Sequence, residues 1–481
     1  MSIQNCLETA CDNVQAFSDS ASSSASSASS SASSASQSAT DAAASAALAT
    51  ASANYEGQWV SGTSYAVGDS VMDDGLFYIC NTATSGTTAP ASDTAWDYIP
   101  YNPKMSVGNI NSPLLDLPLK NSLAMKQGVG SVTFTRTTTG TYIDRYGVLQ
   151  TAAIDEPRFE KEGLLIEGDS TNLLTYSNDF SQADWTTLST NISKVTGKTS
   201  PDGTANATEV TATATDALLR HNNTVITNGS DHTISVWVRR VTGTGDISII
   251  NTELVATVIN VTSEWKRFEV SATAGDTTGT CYLRIATSGD VLEVFGWQLE
   301  ELPFASSYIP TTTTEVTRSA DVLYADNIDN VPNVNLANPN MSVSIDYDSF
   351  GNMTSLSQIL VGQYQASTNY WYLRKYSTDT RIGVTAKADG VISYSEVTGE
   401  TDKTNVNRRA TATFGNENVS IYEDGVLALS ESTLASPFAN PSSTTKLYIG
   451  SLIGSSNYLY GHVSNLRIWD TELSQQEATL A

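Results

Sequence analysis

Tyr370, Tyr372, Arg374 and Tyr376 alternate along one stretch of the chain, with Trp371 and Leu373 between them. In an extended strand, residues two apart share a face, so three phenols and a guanidinium would line up together. Such a face offers ring stacking and hydrogen bonds to a glycan. Tyr458 and Tyr460 alternate in the same way and join the glycan-binding candidates. A half-buried sandwich face or an inter-chain contact uses the same residue types, and is the commoner use of them.

Catalytic constellations are lacking. The chain has no P-loop, no HExxH, no G-x-S-x-G and no G-x-G-x-x-G fingerprint. Its three histidines, His221, His232 and His462, have no partner motif and read as ordinary strand or turn positions. Paired carboxylates can hydrolyse glycosides, yet nothing in the spacing of Asp and Glu singles out a pair. The chain therefore reads as a non-enzyme with no catalytic residue, no assigned metal site and no cofactor. If calcium is bound, Asp346 with Asp348, or Glu423 with Asp424, are the carboxylates to hold it. The run D-x-D-x-F-G at 346–351 departs from the EF-hand pattern at Phe350.

Composition narrows the partners. The 481 residues carry a net charge of −26, with charged residues at 16 % and a hydrophobic fraction of 40 %. An acidic surface does not suit nucleic acid, whose phosphates need Lys and Arg, nor an anionic membrane. The N-terminus lacks the basic and apolar regions of a secretory signal, and no apolar run approaches the ~18 residues of a membrane span. Cys6, Cys11, Cys80 and Cys281 form no C-x-x-C and read as free thiols of a protein assembled in a reducing cytoplasm.

The element that would carry these faces outward is at the N-terminus. Ala21, Ala25, Ala28, Ala32, Ala35, Ala39, Ala42, Ala46, Ala49 and Ala53 recur in steps of four and three, and Leu7, Cys11, Val14 and Ser18 continue the phase backwards. A 3.5-residue repeat keeps one stripe of a helix against a partner, giving a left-handed coiled coil. Ser/Ala tracts also occur as flexible linkers, but a linker has no reason to hold phase. A lone Ser/Ala helix is marginal in water, so the seam implies a homo-oligomer and a rod of roughly 70 Å at about 1.5 Å per residue. Identical chains anchored by one end run parallel. The seam by itself does not count the helices.

Beyond it the chain reads as mainly β: a small aromatic β module at 55–101, a β-rich connector at 102–170, an antiparallel sandwich at 171–326, an Asn/Pro-containing linker at 327–340 and a second antiparallel sandwich at 341–481. In His232–Arg239, Ile234, Val236 and Val238 share one face, and Ser235, Trp237 and Arg239 the other. Ser474 and Glu477 form a capping box for a last short helix.

The order Trp59, Tyr65, Gly68-Asp69, Val71, Gly75, Tyr78, Pro90, Trp96 resembles the chitin-binding type 3 modules, carbohydrate-binding families 5 and 12. That family stacks exposed aromatics on sugars, whereas a domain this small needs Trp59 and Trp96 for its core. Phe134-Thr135-Arg136, Tyr142, Pro157-Arg158-Phe159, Leu165-Ile166-Glu167 and Thr171-Asn172 resemble a segment of tail proteins of double-stranded DNA bacteriophages. The run from Phe295 to Asp321 is similar to the end of jelly-roll domains in such proteins, themselves similar to carbohydrate-binding modules. Val419–Tyr422, Asp424-Gly425, Leu447–Gly450 and Gly461–Asp470 resemble the laminin-G, pentraxin and concanavalin-like lectin/glucanase sandwiches; the E-x-D-x-x-E strand of the glucanase branch is missing.

Together the resemblances imply a bacteriophage tail fibre or similar virion appendage. Residues 1–6 would form an attachment tip docking on a tail or baseplate protein. Three chains would make a homotrimer, and the distal sandwich would bind a host-surface glycan for viral attachment. A tailspike-type polysaccharide depolymerase and a purely structural capsid or neck fibre are the alternatives.

Overall fold

The structure is a computed structural model. It describes residues 55–73, 76–99, 113–186, 191–221, 224–251, 253, 255–326, 328, 340–353, 357–366, 369–376, 381–388, 391–396, 406–415, 419–431, 446–452 and 457–480. The heptad seam, with every residue read as oligomerising, lies outside them, as do Cys6, Cys11 and the Asp74-Gly75 turn. Among the described residues, helix is confined to a 3-10 turn at Pro90–Ser92 and the short helices Ala183–Thr186 and Gln475–Leu480; the other regular elements are strands, nearly all paired antiparallel. The chain divides into two compact units, 1–107 and 108–481.

In the first unit, strands Tyr55–Gln58, Ser70–Asp73, Leu76–Cys80 and Trp96–Ile99 lie side by side in that order. Tyr65, Val71, Tyr78, Cys80 and Trp96 fill the core, and Tyr65 meets Trp96 edge-on at 5.1 Å. Trp59 packs against them partly buried. A domain this small has few other residues to bury, so its aromatics are drawn inward.

The second unit holds two sandwiches. In the first, the five-stranded sheet Ile192–Lys198, Ala207–Ala212, Val291–Glu300, Asp231–Thr242, Lys266–Thr273 faces the four-stranded sheet Ala217–Arg220, Tyr282–Ile285, Ile247–Ile250, Ala256–Ile259. Val236, Val294 and Trp297 of one meet Ile249 and Leu283 of the other. The expected alternation holds: Ile234, Val236 and Val238 enter this core, and Trp237 leaves it for a separate cluster with Phe295 and Tyr308.

The second sandwich is assembled from distant parts of the chain. One sheet runs Val391–Glu396, Ile382–Ala388, Asn369–Lys375, Gln358–Ala366, Leu447–Ile449, Val322–Asp326, Ser131–Thr135. The other runs Val426–Glu431, Val419–Glu423, Arg408–Phe414, Met341–Tyr347, Gly461–Trp469, Leu164–Ile166, Arg158–Phe159, with Leu115–Leu117 also paired to Gly461–Trp469. Trp371 and Leu373 of the first sheet meet Val343, Phe414 and Ile421 of the second, and Leu115, Leu117, Phe134, Leu164 and Ile166 complete the same core. Each such side chain contributes roughly 1.5–3 kcal/mol by leaving water.

This corrects the boundaries read from sequence. Residues 102–170 are not a free-standing connector: their described strands belong to the last sandwich. Residues 322–326 join it too, ahead of the expected linker at 327–340. The first sandwich, which the sequence likened to a jelly roll, is thus inserted into the last one, entering and leaving through the paired strands Ser170–Asn172 and Val316–Arg318. Ser474 and Glu477 form the expected capping box, the Ser474 hydroxyl donating to the Glu477 carboxylate at 2.7 Å and the Glu477 N–H returning to that hydroxyl at 3.4 Å.

Candidate functional site

A buried ion network fixes the insertion. Asp321 accepts from Arg136 Nη1 at 3.1 Å and from Arg158 Nη2, while Glu167 meets Arg158 at 2.7 Å and Arg318 at 3.4 Å. These side chains are at most 1 % exposed. Ser307 donates its N–H and hydroxyl to Glu167, both at 2.7 Å. Burial alone would raise the Glu167 carboxyl, but the two guanidinium groups and Ser307 hold it down at about 2. Asn172 donates to the Trp297 and Ile309 carbonyls and accepts from the Leu299 N–H, tying the central strand Val291–Glu300 of the first sandwich to the crossing point. Arg136, Arg158, Glu167, Asn172, Arg318 and Asp321, all from the phage-like segments, serve this junction.

The network anchors strand Val322–Asp326, which lies next to the edge strand Ser131–Thr135 of the sheet carrying the tyrosines. By backbone register Thr133, Tyr324, Tyr448, Gly362, Tyr372 and Thr385 form one row across six of the strands. Their neighbours Leu323, Leu447, Val361, Trp371, Leu373 and Val384 point into the core, which leaves this row on the outer face.

Along the strand the rings form a comb. Tyr364 and Tyr370 stack across strands at 6.0 Å and 18°, and Tyr370 and Tyr372 along one strand at 5.6 Å and 9°. Arg374 follows, 5.6 Å from the Tyr372 ring and 4.2 Å from that of Tyr376, donating to the Tyr376 hydroxyl at 2.7 Å. Arg381 closes the line 5.2 Å from Tyr376. On the neighbouring strands Tyr324 and Tyr448 lie 5.9 Å apart, with the Lys446 ammonium 3.6 Å over the Tyr324 ring. Gly362 is required between Tyr448 and Tyr372: a Cβ there would lie 2.6 Å from the Trp371 carbonyl oxygen and from Tyr372 Cβ. The rings, half-buried except for buried Tyr448, and three cations supply phenol hydroxyls, flat apolar area and N–H donors, the groups that recognise a polyhydroxylated ring.

Tyr370, Tyr372, Arg374 and Tyr376 are thus brought together as expected. Tyr458 and Tyr460 are not part of that surface. Tyr460 is 5 % exposed, packs on Leu302 and Phe304 at the jelly-roll junction and donates to the Asp169 carbonyl at 3.1 Å. Its burial pushes the phenol up, and Gly168 leaves room for it, since a Cβ there would strike its hydroxyl. Half-buried Tyr458 packs in the same cluster. Tyr324, Tyr364, Tyr448, Lys446 and Arg381 were missed. Period-two alternation marks Tyr324 and Tyr448 as facing away from their apolar neighbours, but only strand order places them beside Tyr372.

The carboxylates considered for calcium face cations. Asp346 meets Arg409 at 2.6 Å and accepts from Asn465 at 2.7 Å; Glu423 and Asp424 both face Arg408. Asp348 holds His462, whose Nδ1 is 2.9 Å from it and whose Nε2 is 3.0 Å from Glu160. Burial alone would lower this imidazole, but hydrogen bonds to Asp348 and Glu160 raise it to about 10. His462 is therefore an ionic clasp between the strand Gly461–Trp469 and Glu160, where the spacing alone had indicated an ordinary strand position. His232 is buried with its Nδ1 3.0 Å from the Ser230 carbonyl, and His221 packs edge-on against Trp185 at 4.8 Å. Cys80 and Cys281 are free and buried. Among the described residues no helix is long and apolar enough to cross a membrane.

None of the curated proteins matches this chain. Among solved structures, the CBM40 of the Ruminococcus gnavus IT-sialidase bound to alpha2,3 sialyllactose is 14 % identical, with a TM-score of 0.26, over 29 % of this chain and 80 % of that one. Domain 4 of the extracellular arabinanase AbnA from Geobacillus stearothermophilus, in complex with arabinotriose, is 14 % identical with a TM-score of 0.28, over 37 % of this chain and 81 % of that one. The heptameric SAP-like pentraxin of Limulus polyphemus is 12 % identical with a TM-score of 0.24, over 29 % and 68 %. At the level of families, residues 327–479, which supply most strands of the second sandwich, match Laminin_G_3 of the Concanavalin A-like lectin/glucanases superfamily.

Proposed function

We propose that this chain is a glycan-binding fibre of a bacteriophage virion, and that the tyrosine face of the seven-stranded sheet contacts a host-surface glycan. The comb of Tyr364, Tyr370, Tyr372, Arg374 and Tyr376 carries the reading. The match of residues 327–479 to a lectin/glucanase superfamily supports it, although fold by itself does not assign a function. The fibre role draws on the alanine heptads and the phage-like segments. A homotrimer anchored to a tail or baseplate protein through the N-terminus would present three such faces, and multivalency would raise weak single-site affinities.

Purified protein applied to an array of bacterial surface glycans is the test. Replacing Tyr370, Tyr372 and Tyr376 together with Ala should lower binding at least about tenfold, since each ring supplies on the order of 1 kcal/mol, while the melting temperature shifts little. Retention of full binding by the triple variant would remove the site. Release of reducing ends from a bound polysaccharide would replace adhesion by depolymerisation. Antibody to residues 341–481 should label the free ends of virion tail fibres; labelling of the capsid or neck would give the structural alternative.

A further inference from the structure

A cavity of about 480 Å³ opens on the outer face of the jelly-roll's five-stranded sheet. That lies within the ~300–1,000 Å³ usual for ligand pockets. Four parts of the chain wall it: Trp237 and residues 266–269 of the sheet, residues 141–143 of the hairpin Gly140–Ile143 and Leu149–Ala152, the loop 305–308, and Glu160 with Phe350 from the second sandwich. Trp237, Tyr142, Tyr308 and Phe350 give it ring surface. No residue of the tyrosine face lines it.

Its lining carries two carboxylates and two cations that are not paired with one another. The two carboxylates are occupied: Glu160 accepts from the Ile143 N–H at 2.7 Å and meets His462, and Glu269 accepts from the Ala305 N–H at 3.0 Å. The two cations have no such match. Lys198, Arg239 and Arg240 of the same sheet each pair with a carboxylate, Glu209, Glu293 and Asp290 respectively. Among the described residues neither Lys266 nor Arg267 has a carboxylate within ion-pair distance. Exposed Lys266 has the Phe268 ring 5.2 Å away. The Arg267 guanidinium lies 4.5 Å over Trp237 and donates to the Ser306 carbonyl at 2.7 Å and to the Ser235 hydroxyl at 2.8 Å, leaving its Nε buried without a partner.

In a chain of net charge −26, a ring-walled cavity whose two cations stand outside direct ion pairs, Arg267 with Glu300 and Glu269 only at longer range, can accept an anion that also has an apolar face. A pyranose carrying a carboxylate meets both demands: its C–H face lies on rings, and its carboxylate takes charge-assisted hydrogen bonds. We infer that this cavity is a second carbohydrate site, independent of the tyrosine face, and that it takes an acidic sugar through Lys266 and Arg267.

Titration calorimetry of the full chain with glucuronic acid and N-acetylneuraminic acid, against neutral glucose, tests this. At least one acidic sugar should bind about tenfold or more tightly than glucose, the scale of one charge-assisted contact. Binding should weaken severalfold with salt and with Lys266→Gln, an exposed change that leaves packing intact, and should vanish with Ala305→Trp, which puts an indole among the lining residues. Tyr372→Ala with Tyr376→Ala should leave it unchanged, which separates this site from the tyrosine face. Four results would each overturn the assignment: no binding of either acid, equal affinity for glucose, indifference to both cavity variants, or loss of binding in the Tyr372/Tyr376 variant. Melting curves of each variant distinguish lost binding from lost fold.

Discussion

Asp321 shows how much one carboxylate can hold. It accepts from Arg136 and Arg158 and from the Glu167 N–H at 2.9 Å, with the side chains fully buried. Asp321→Ala would leave three guanidinium groups, Arg136, Arg158 and Arg318, buried beside the single remaining acid Glu167. Breaking a buried pair from one side costs about 3–5 kcal/mol, so the denaturant midpoint of the second unit should fall steeply; a loss under about 1 kcal/mol would mean the network relaxes and solvates its own charges. Glu167 and His462 set the pH window. The Glu167 carboxyl sits at about 2, below its ordinary 4.5, so its contribution is complete above pH 4.5 and lost as pH falls toward 2. His462 lies at about 10, above its ordinary 6.5, so its contribution is complete below pH 6.5 and lost as pH rises toward 10. Melting temperature against pH should therefore fall at both ends. His462→Gln should flatten the alkaline limb and leave the acid limb; an unchanged alkaline limb would mean the clasp is not ionic.

At the scale of elements, the lectin-like sandwich is not the C-terminal third of the chain. Strand Gly461–Trp469 pairs with both Leu115–Leu117 and Leu164–Ile166, and strand Leu447–Ile449 pairs with Val322–Asp326. A fragment 327–481 would expose the edges and core faces those strands cover, including Val463, Leu466 and Ile449, each at most 1 % exposed. It should be insoluble or give a collapsed NMR spectrum, whereas 108–481 should give dispersed amide resonances. A well-dispersed spectrum from the short fragment would show that the inserted strands are dispensable. The same geometry links binding to stability: strand Val322–Asp326, next to the Asp321 network, carries Tyr324 of the candidate face.

At the scale of the whole molecule, the two sandwiches of the second unit carry the candidate binding surfaces and the alanine seam is the proposed means of presenting them. Ala32→Asp with Ala35→Asp places charge in a seam with no room and no partner. Sedimentation should show dissociation to single chains that keep their β circular dichroism. An unchanged oligomer would return the Ser/Ala tract to the role of a linker and put assembly elsewhere.

The sequence alone determined what is local. Alternation over 231–242 sorted Val236 and Val238 from Trp237, the hydroxyl–carboxylate spacing of Ser474 and Glu477 marked a helix start, and residues 370–376 were legible as a shared face of phenols and a cation. These patterns depend on backbone periods of two or of 3.6 residues and need no partner. Tertiary structure decided which strands meet, and so decided the rest. Tyr458 and Tyr460 alternate as cleanly as Tyr370 and Tyr372, yet they pack against the inserted domain because strand Gly461–Trp469 borders it there. Arg136 and Asp321 stand 185 residues apart in sequence, and no spacing rule joins them. Their pairing follows because burying a charge is costly unless an opposite one shares the site, and only the folded order of strands brings the two together.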